Sequence, residues 1–117
     1  MPLAREIRLN RAERILEIAF DDGARFRLPA EYLRVESPSA EVQGHAPSER
    51  QWFGGKRDVA IVGLEPVGNY AVRILFDDGH DTGIYSFEYL YRLGREQKER
   101  WQTYLDALAA RGLKRER

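Results

Sequence analysis

The first third of the chain carries its apolar residues in short bursts rather than in one long stripe. Residues 6–10 read as a short strand, and 14–20 as a second, in which Ile15, Leu16, Ile18 and Phe20 supply the β-branched and aromatic side chains that pack on a sheet. Asp22-Gly23 follows, a pair that tolerates positive φ at both central positions of a two-residue hairpin, so 24–28 returns antiparallel. Pro29 then suits the first turn of a short helix over 30–35. Further on, 58–64 predicts a strand, Pro66-Val67-Gly68-Asn69 a turn, 70–77 a strand, Asp78-Gly79 a second tight hairpin and 80–85 its return. Ser86 is placed to cap a helix that holds Phe87, Tyr89, Leu90 and Leu93, with Gly94 ending or bending it. The period then lengthens. Trp101, Leu105 and Leu108 make one apolar stripe on a helix over 95–111 whose other faces are charged. Gly112 fits a left-handed cap, and 114–117 reads as a frayed tail.

The order of elements occurs twice, and so do residues. Ile18, Phe20, Asp21, Asp22 and Gly23 recur as Ile74, Phe76, Asp77, Asp78 and Gly79, and Glu31-Tyr32-Leu33 recurs as Glu88-Tyr89-Leu90. The expected fold is therefore α+β: antiparallel hairpins from two ββα-like half-repeats, about 5–35 and 58–93, packed with short helices and a C-terminal amphipathic helix. Convergence of hairpins on Asp-Gly explains the turn, but not the matching order on both sides of it. With 117 residues, a single domain over 1–113 is expected, since two cores would each be too small.

Charge and composition then remove function classes. Lys plus Arg and Asp plus Glu are equal at 19 each, so no excess of positive charge points to nucleic acid or an anionic membrane. No cysteine is present, which excludes disulfides, thiolate metal sites and thiol catalysis by this chain alone. No stretch approaches the ~20 apolar residues of a membrane span, and no leader pattern is evident, so the expected compartment is the cytoplasm.

Candidate chemistry concentrates in two places. The connection 36–57 is long for a compact domain and holds Ser37, Ser39, His45, the pair Trp52-Phe53 and the run Gly54-Gly55-Lys56-Arg57. The aromatic pair is expected to dock on the core, and the glycine run lacks the upstream glycine and following Ser or Thr of a phosphate loop. It reads as a turn, with an anion held by its amides, Lys56 and Arg57 as the weaker alternative. The other place is the second hairpin, where Gly79 is followed by His80-Asp81-Thr82 while Gly23 is followed by Ala24-Arg25-Phe26. A two-residue turn sets Asp77 opposite His80 and brings Thr82 and Arg73 to one face, giving a polar cluster of Asp77, His80 and Thr82. Such a cluster is most often a solvated hairpin tip. His80 with His45 and a carboxylate, Asp81 first, would also suffice for one iron or zinc ion. A serine triad from Ser37 or Ser86 with His80 lacks a nucleophile elbow or oxyanion motif. Lys56, Arg57, Asp77, Thr82 and Tyr85 make the candidate ligand or partner surface.

The runs Leu33 to Val42, Gly55-Lys56-Arg57-Asp58-Val59, Glu65 to Tyr70 and Phe76 to Tyr85 closely resemble one family. It is the bacterial domain family of unknown function similar to the N-terminal domain of gamma-butyrobetaine hydroxylase. In the hydroxylase that domain is an appendage with zinc on three cysteines and one histidine, apart from the oxygenase domain. The resemblance places the histidine at His80 and the cysteines at about Ser37, Ser39 and Val42, where no thiolate stands. Similar domains are also fused to iron–sulfur carrier ATPases, which implies an accessory role near iron or cluster handling.

Together these readings predict a non-catalytic accessory or binding domain that takes a metal ion or a protein partner. One alternative is a small enzyme using His80 with Asp77 or Asp81 as acid and base. Another is a structural subunit that self-associates through a sheet edge. An enzyme requires a concave pocket around His80, whereas a binding module does not.

Overall fold

The computed structural model describes residues 1–117. Three antiparallel strands, β1 (Ala4–Asn10), β2 (Ile15–Phe20) and β3 (Arg25–Pro29), form one sheet and lead directly into α1 (Ala30–Val35). A crossover holding the helical turn α2 (Ala40–Gln43) and a 3-10 turn (Pro47–Glu49) reaches the second sheet. That sheet comprises β4 (Ile61–Val67), β5 (Ala71–Phe76) and β6 (Ile84–Ser86), and leads into α3 (Phe87–Arg95) and α4 (Gln97–Ala110). The predicted α+β class and both ββα halves are present. No helix is long and apolar enough to cross a membrane.

Period-two patterning explains the inner faces. Leu16, Ile18 and Phe20 alternate inward on β2, and Val72, Ile74 and Phe76 do so on β5. With Leu28, Tyr32, Leu33, Ile61, Tyr85, Leu90 and Leu93 they build the main core. A small satellite of Val35, Tyr104 and Leu108 lies beneath α4. Trp101 and Leu105 only flank it, so the predicted stripe is centred on Tyr104.

Both hairpins differ from the predicted two-residue turn. Phe20 N–H bonds to Ala24 O at 2.9 Å and Phe76 N–H to His80 O at 3.0 Å, so three residues form each loop. Only the glycine has positive φ, +88° at Gly23 and +89° at Gly79, and the aspartate before it keeps negative φ. This is the three-residue turn with a glycine bulge. One residue of register changes every neighbour: His80 faces Phe76, not Asp77.

The two hairpins repeat one another's turn and edge bonds. Asp21 N–H bonds to Leu3 O at 2.8 Å, and Asp77 N–H to Ala60 O at 2.9 Å. The same aspartates accept from the Leu3 and Ala60 amides. Asp22 Oδ1 accepts from Ala24 N–H as Asp78 Oδ1 does from His80 N–H. A bulge breaks β1 opposite Phe20 and β4 opposite Phe76. Across the molecule the exchange is reciprocal. Tyr32 donates to Leu93 O at 2.8 Å, and Tyr89 donates to Glu36 O at 2.6 Å, each carbonyl lying four residues beyond the other half's tyrosine. The halves thus face each other about a pseudo-two-fold axis.

The connection 36–57 is packed: Trp52 docks on the satellite core, as expected, with the Arg50 guanidinium 3.9 Å from its ring. The expectation of a frayed tail over 114–117 is corrected. Gly55 N–H bonds to Lys114 O at 2.8 Å and Arg57 N–H to Arg115 O at 3.0 Å, while Arg115 forks onto buried Glu31 at 2.8 and 2.9 Å. A bidentate pair on a shielded carboxylate outweighs the entropy that loosens most termini.

Candidate functional site

All six residues of α1 are buried, including Glu31 and Arg34, and Glu36 just beyond it is 2% exposed. Charges so placed require partners, and distant elements supply them. Arg34 Nε reaches Asp78 Oδ2 at 2.8 Å, and Lys56 Nζ meets the same oxygen at 2.6 Å. Burial alone would raise the Asp78 carboxyl, but the Lys56 ammonium, the His80 amide and Arg34 overcome it and hold the pKa down at about 2. Glu36 is held by Arg50 at 2.9 Å and Arg100 at 3.4 Å, and Tyr104 donates to Glu31.

His80 sits beside this network on the hairpin that Asp78 shapes. It is 5% exposed, and its ring lies 6.0 Å from that of Phe76. Nδ1 is 3.2 Å from Glu41 Oε2 and Nε2 is 2.8 Å from Ser37 Oγ. A carboxylate only accepts, so Nδ1 carries the proton and Nε2 accepts from the serine hydroxyl. Burial, and then the Arg34 guanidinium, push the imidazole pKa below its ordinary value against the pull of Glu41 and Asp78. The ring is neutral near pH 7. Beside it Ser39 Oγ and Thr82 Oγ1 are 2.8 Å apart. Gly83 is required behind Ser37, for a Cβ there would stand 2.6 Å from Ser37 Oγ and 2.9 Å from the Tyr85 ring.

Serine, histidine and carboxylate therefore line up in the order of a catalytic triad, yet their exposure is reversed. Ser37 has 0% exposure, whereas the Glu41 side chain at the other end is 63% exposed. A working nucleophile faces substrate and its acid is shielded. None of the main surface cavities is lined by Ser37 or His80.

The other expected site residues disperse. His45 is exposed beyond α2, its amide on Glu49, in a shallow groove of its own. Asp81 is exposed and its backbone carbonyl accepts from Arg73, which also pairs with Glu65. Asp77 turns outward to the Ala60 amide, so it is not part of the His80 cluster. Thr82 is. Tyr85 is 0% exposed and donates to Leu33 O at 2.5 Å, because its pairing with Val72 points it into the core. It offers no partner surface. Lys56 is committed to Asp78, and exposed Arg57 reaches Glu116. The sequence reading missed Arg34, Glu31, Glu36, Arg50, Arg100 and Arg115; the local pattern around α1 gives no sign that its charges are buried.

Residues 7–91 match the family model described as gamma-butyrobetaine hydroxylase-like, N-terminal. The chain belongs to this family. Two solution structures determined by NMR are similar to this member, both with TM-score 0.84. One is 43% identical and the match covers 99% of this chain and 91% of the other; the second is 47% identical, covering 98% and 86%. A crystal structure described as a protein of unknown function of the DUF971 family, from Acidithiobacillus ferrooxidans, is 43% identical with TM-score 0.66, covering 78% of this chain and 91% of that one. No curated protein matches.

For the gamma-butyrobetaine hydroxylase-like N-terminal family, the resemblance implied a zinc ion at His80, and the residues here do not fit one. Both ring nitrogens are engaged, Ser37 and Ser39 offer neutral hydroxyls that are themselves bonded, and Val42 has no donor atom. Nor does any group of three His, Asp or Glu side chains converge as an ion would need.

Proposed function

We propose that this chain is a non-catalytic accessory module that docks an acidic, aromatic-bearing segment of a partner protein. The carrying observation is a contrast between two places. His80, the one chemically versatile residue of the second hairpin, is sealed and fully bonded, while an open groove of about 530 Å³ runs along the α3–α4 junction. Pro29, Gly94, Arg95, Gln97, Lys98 and Trp101 line it, with two exposed cations, an indole and no carboxylate. In a chain with no net charge, such a groove selects anionic partners by charge and offers Trp101 as a flat apolar contact. The resemblance to a hydroxylase appendage supports an accessory role beside a larger enzyme, iron or iron–sulfur enzymes included, without a metal on this chain. Self-association is less favoured: β1 and β4, one edge of each sheet, carry bulges, the charges of β1 and Pro66 of β4 blunt further pairing, and the other edge strands, β3 and β6, have only five and three residues.

Titration of the 15N-labelled chain with a peptide of alternating Glu and Phe tests the docking. Shifts are expected at Arg95, Lys98 and the Trp101 indole, and Arg95→Glu with Lys98→Glu should weaken binding by about tenfold or more. No shifts at millimolar peptide, or equal binding of a Lys-Phe peptide, would remove the proposal. A fluorophosphonate probe addresses catalysis, and it should leave Ser37 unlabelled. Stoichiometric labelling abolished by Ser37→Ala would restore the enzyme alternative.

A further inference from the structure

We infer that the Ser37–His80–Glu41 contact is a metal-independent clasp, which fastens the crossover onto the second hairpin at the place where the family resemblance sets an ion. The pseudo-two-fold axis carries the argument, because the molecule contains the same junction twice. In each half the chain leaves its helix and passes over the hairpin of the other half. By the repeat in the sequence, Ser37 corresponds to Gly94, Arg34 to Tyr91, His80 to Ala24 and Thr82 to Phe26.

At the first junction the fastening is aromatic. The Phe26 ring lies so close under Gly94 that a Cβ on the glycine would stand 2.3 Å from it. Phe26 meets Tyr91 edge-on at 5.5 Å, and Tyr91 meets Phe20 at 4.9 Å. Tyr91 in turn donates to Asp22, the counterpart of the Arg34–Asp78 pair across the molecule. No histidine or serine is involved, and this junction closes by packing and the Tyr91–Asp22 hydrogen bond.

At the second junction polar side chains do the same work and satisfy each other, apart from Arg34 Nη1, which is buried without a hydrogen-bond partner. Ser37 Oγ donates to His80 Nε2 and accepts from Ser39 N–H at 3.3 Å. His80 Nδ1 donates to Glu41, the His80 amide donates to Asp78, and Ser39 Oγ pairs with Thr82. Gln43 binds Ser37 O at 2.9 Å, which ties α2 to the same strand of crossover. A tetrahedral ion needs deprotonated or unshared donors, and here each donor is spent within the clasp.

The test uses the full chain, purified without added metal. Zinc and iron should be absent by elemental analysis, and the melting temperature should be the same in EDTA as in excess zinc or ferrous iron. Long-range 15N correlation of His80 should show a neutral ring protonated at Nδ1. Ser37→Ala and His80→Gln should each lower the melting temperature by roughly 4–8 °C, equally with and without metal. Ser37→Ala serves as the milder variant if His80→Gln fails to fold. A stoichiometric metal, or a melting temperature that EDTA lowers and zinc restores in the native chain but not in His80→Gln, would overturn the inference.

Discussion

At the scale of single residues, the two junctions turn glycine into a probe. Gly83→Ala places a methyl against Ser37 Oγ and the Tyr85 ring, and Gly94→Ala places one inside the Phe26 ring, whereas a Cβ at Gly112 meets nothing within 4 Å. The first two substitutions should each destabilise the fold by about 1–3 kcal/mol through overpacking, measured by urea unfolding. Gly83→Ala should also shift the His80 ring resonances, and Gly94→Ala should not. Tyrosines give a pH prediction. Burial, then the Glu36 carboxylate, push Tyr89 up to about 12, and burial first of all raises Tyr32, Tyr85 and Tyr104 as well. A hydroxyl whose folded pKa lies above its unfolded value of 10 stabilises the fold fully below pH 10. That stability is lost as pH rises from 10 through 12. Unfolding should therefore become steeply easier across that window, with the tyrosinate absorbance of these four side chains rising together with the loss of structure. His80 was visible in the sequence as the residue that distinguishes the two hairpins. Of its two ring partners, Ser37 was named beside it as a triad candidate, whereas Glu41 was not, since the assumed two-residue turn moved His80 by one position and turned it toward Asp77.

At the scale of elements, the segment after α4 matters more than its place at the end of the chain suggests. Glu31 is buried, with Arg115 as its cation and the Tyr104 hydroxyl as its other donor. Arg115→Ala strands that carboxylate and should lower stability by about 2–4 kcal/mol, less than a fully buried pair because Arg115 is itself one-third exposed. Arg117→Ala, on an exposed side chain, should stay within about 0.5 kcal/mol. Denaturant midpoints of the two variants make the comparison. The strands and helices were legible because each follows a local period: alternation on β2 and β5, and the Ser86 cap that accepts from Tyr89 N–H at 3.0 Å. Arg115 and Glu31 were not, because no local pattern relates an arginine near the end of the chain to a glutamate 84 residues before it. Tyr104 escaped for a different reason. Its hydroxyl makes it look amphipathic in sequence, although Glu31 satisfies that hydroxyl in the interior.

At the scale of the whole molecule, the reciprocal bonds make the halves interdependent. Tyr32 serves the end of α3, and Tyr89 serves the carbonyl just beyond α1. The core, too, draws from both sheets. A fragment of residues 57–117 should therefore be unfolded by circular dichroism and amide dispersion, although it contains a complete ββα unit. A folded fragment would show that the halves are independent domains. The duplication itself could be read from Ile-x-Phe-Asp-Asp-Gly and Glu-Tyr-Leu, each present twice. The axis relating the copies could not, because reciprocity is a property of packing.

That axis also determines what the chain is free to vary. Two separate chains of one half each, paired the same way, would present identical junctions on both sides, and any change at one would appear at the other. Joined in a single chain, the junctions are separately encoded: Phe26 and Gly94 occupy one, while Thr82 and Ser37 occupy the other, with His80 beside them. Covalent linkage gives the scaffold two distinguishable sides. One side can remain a fixed aromatic joint while the other, beside α2 and the crossover, accumulates substitutions without any matching change across the molecule.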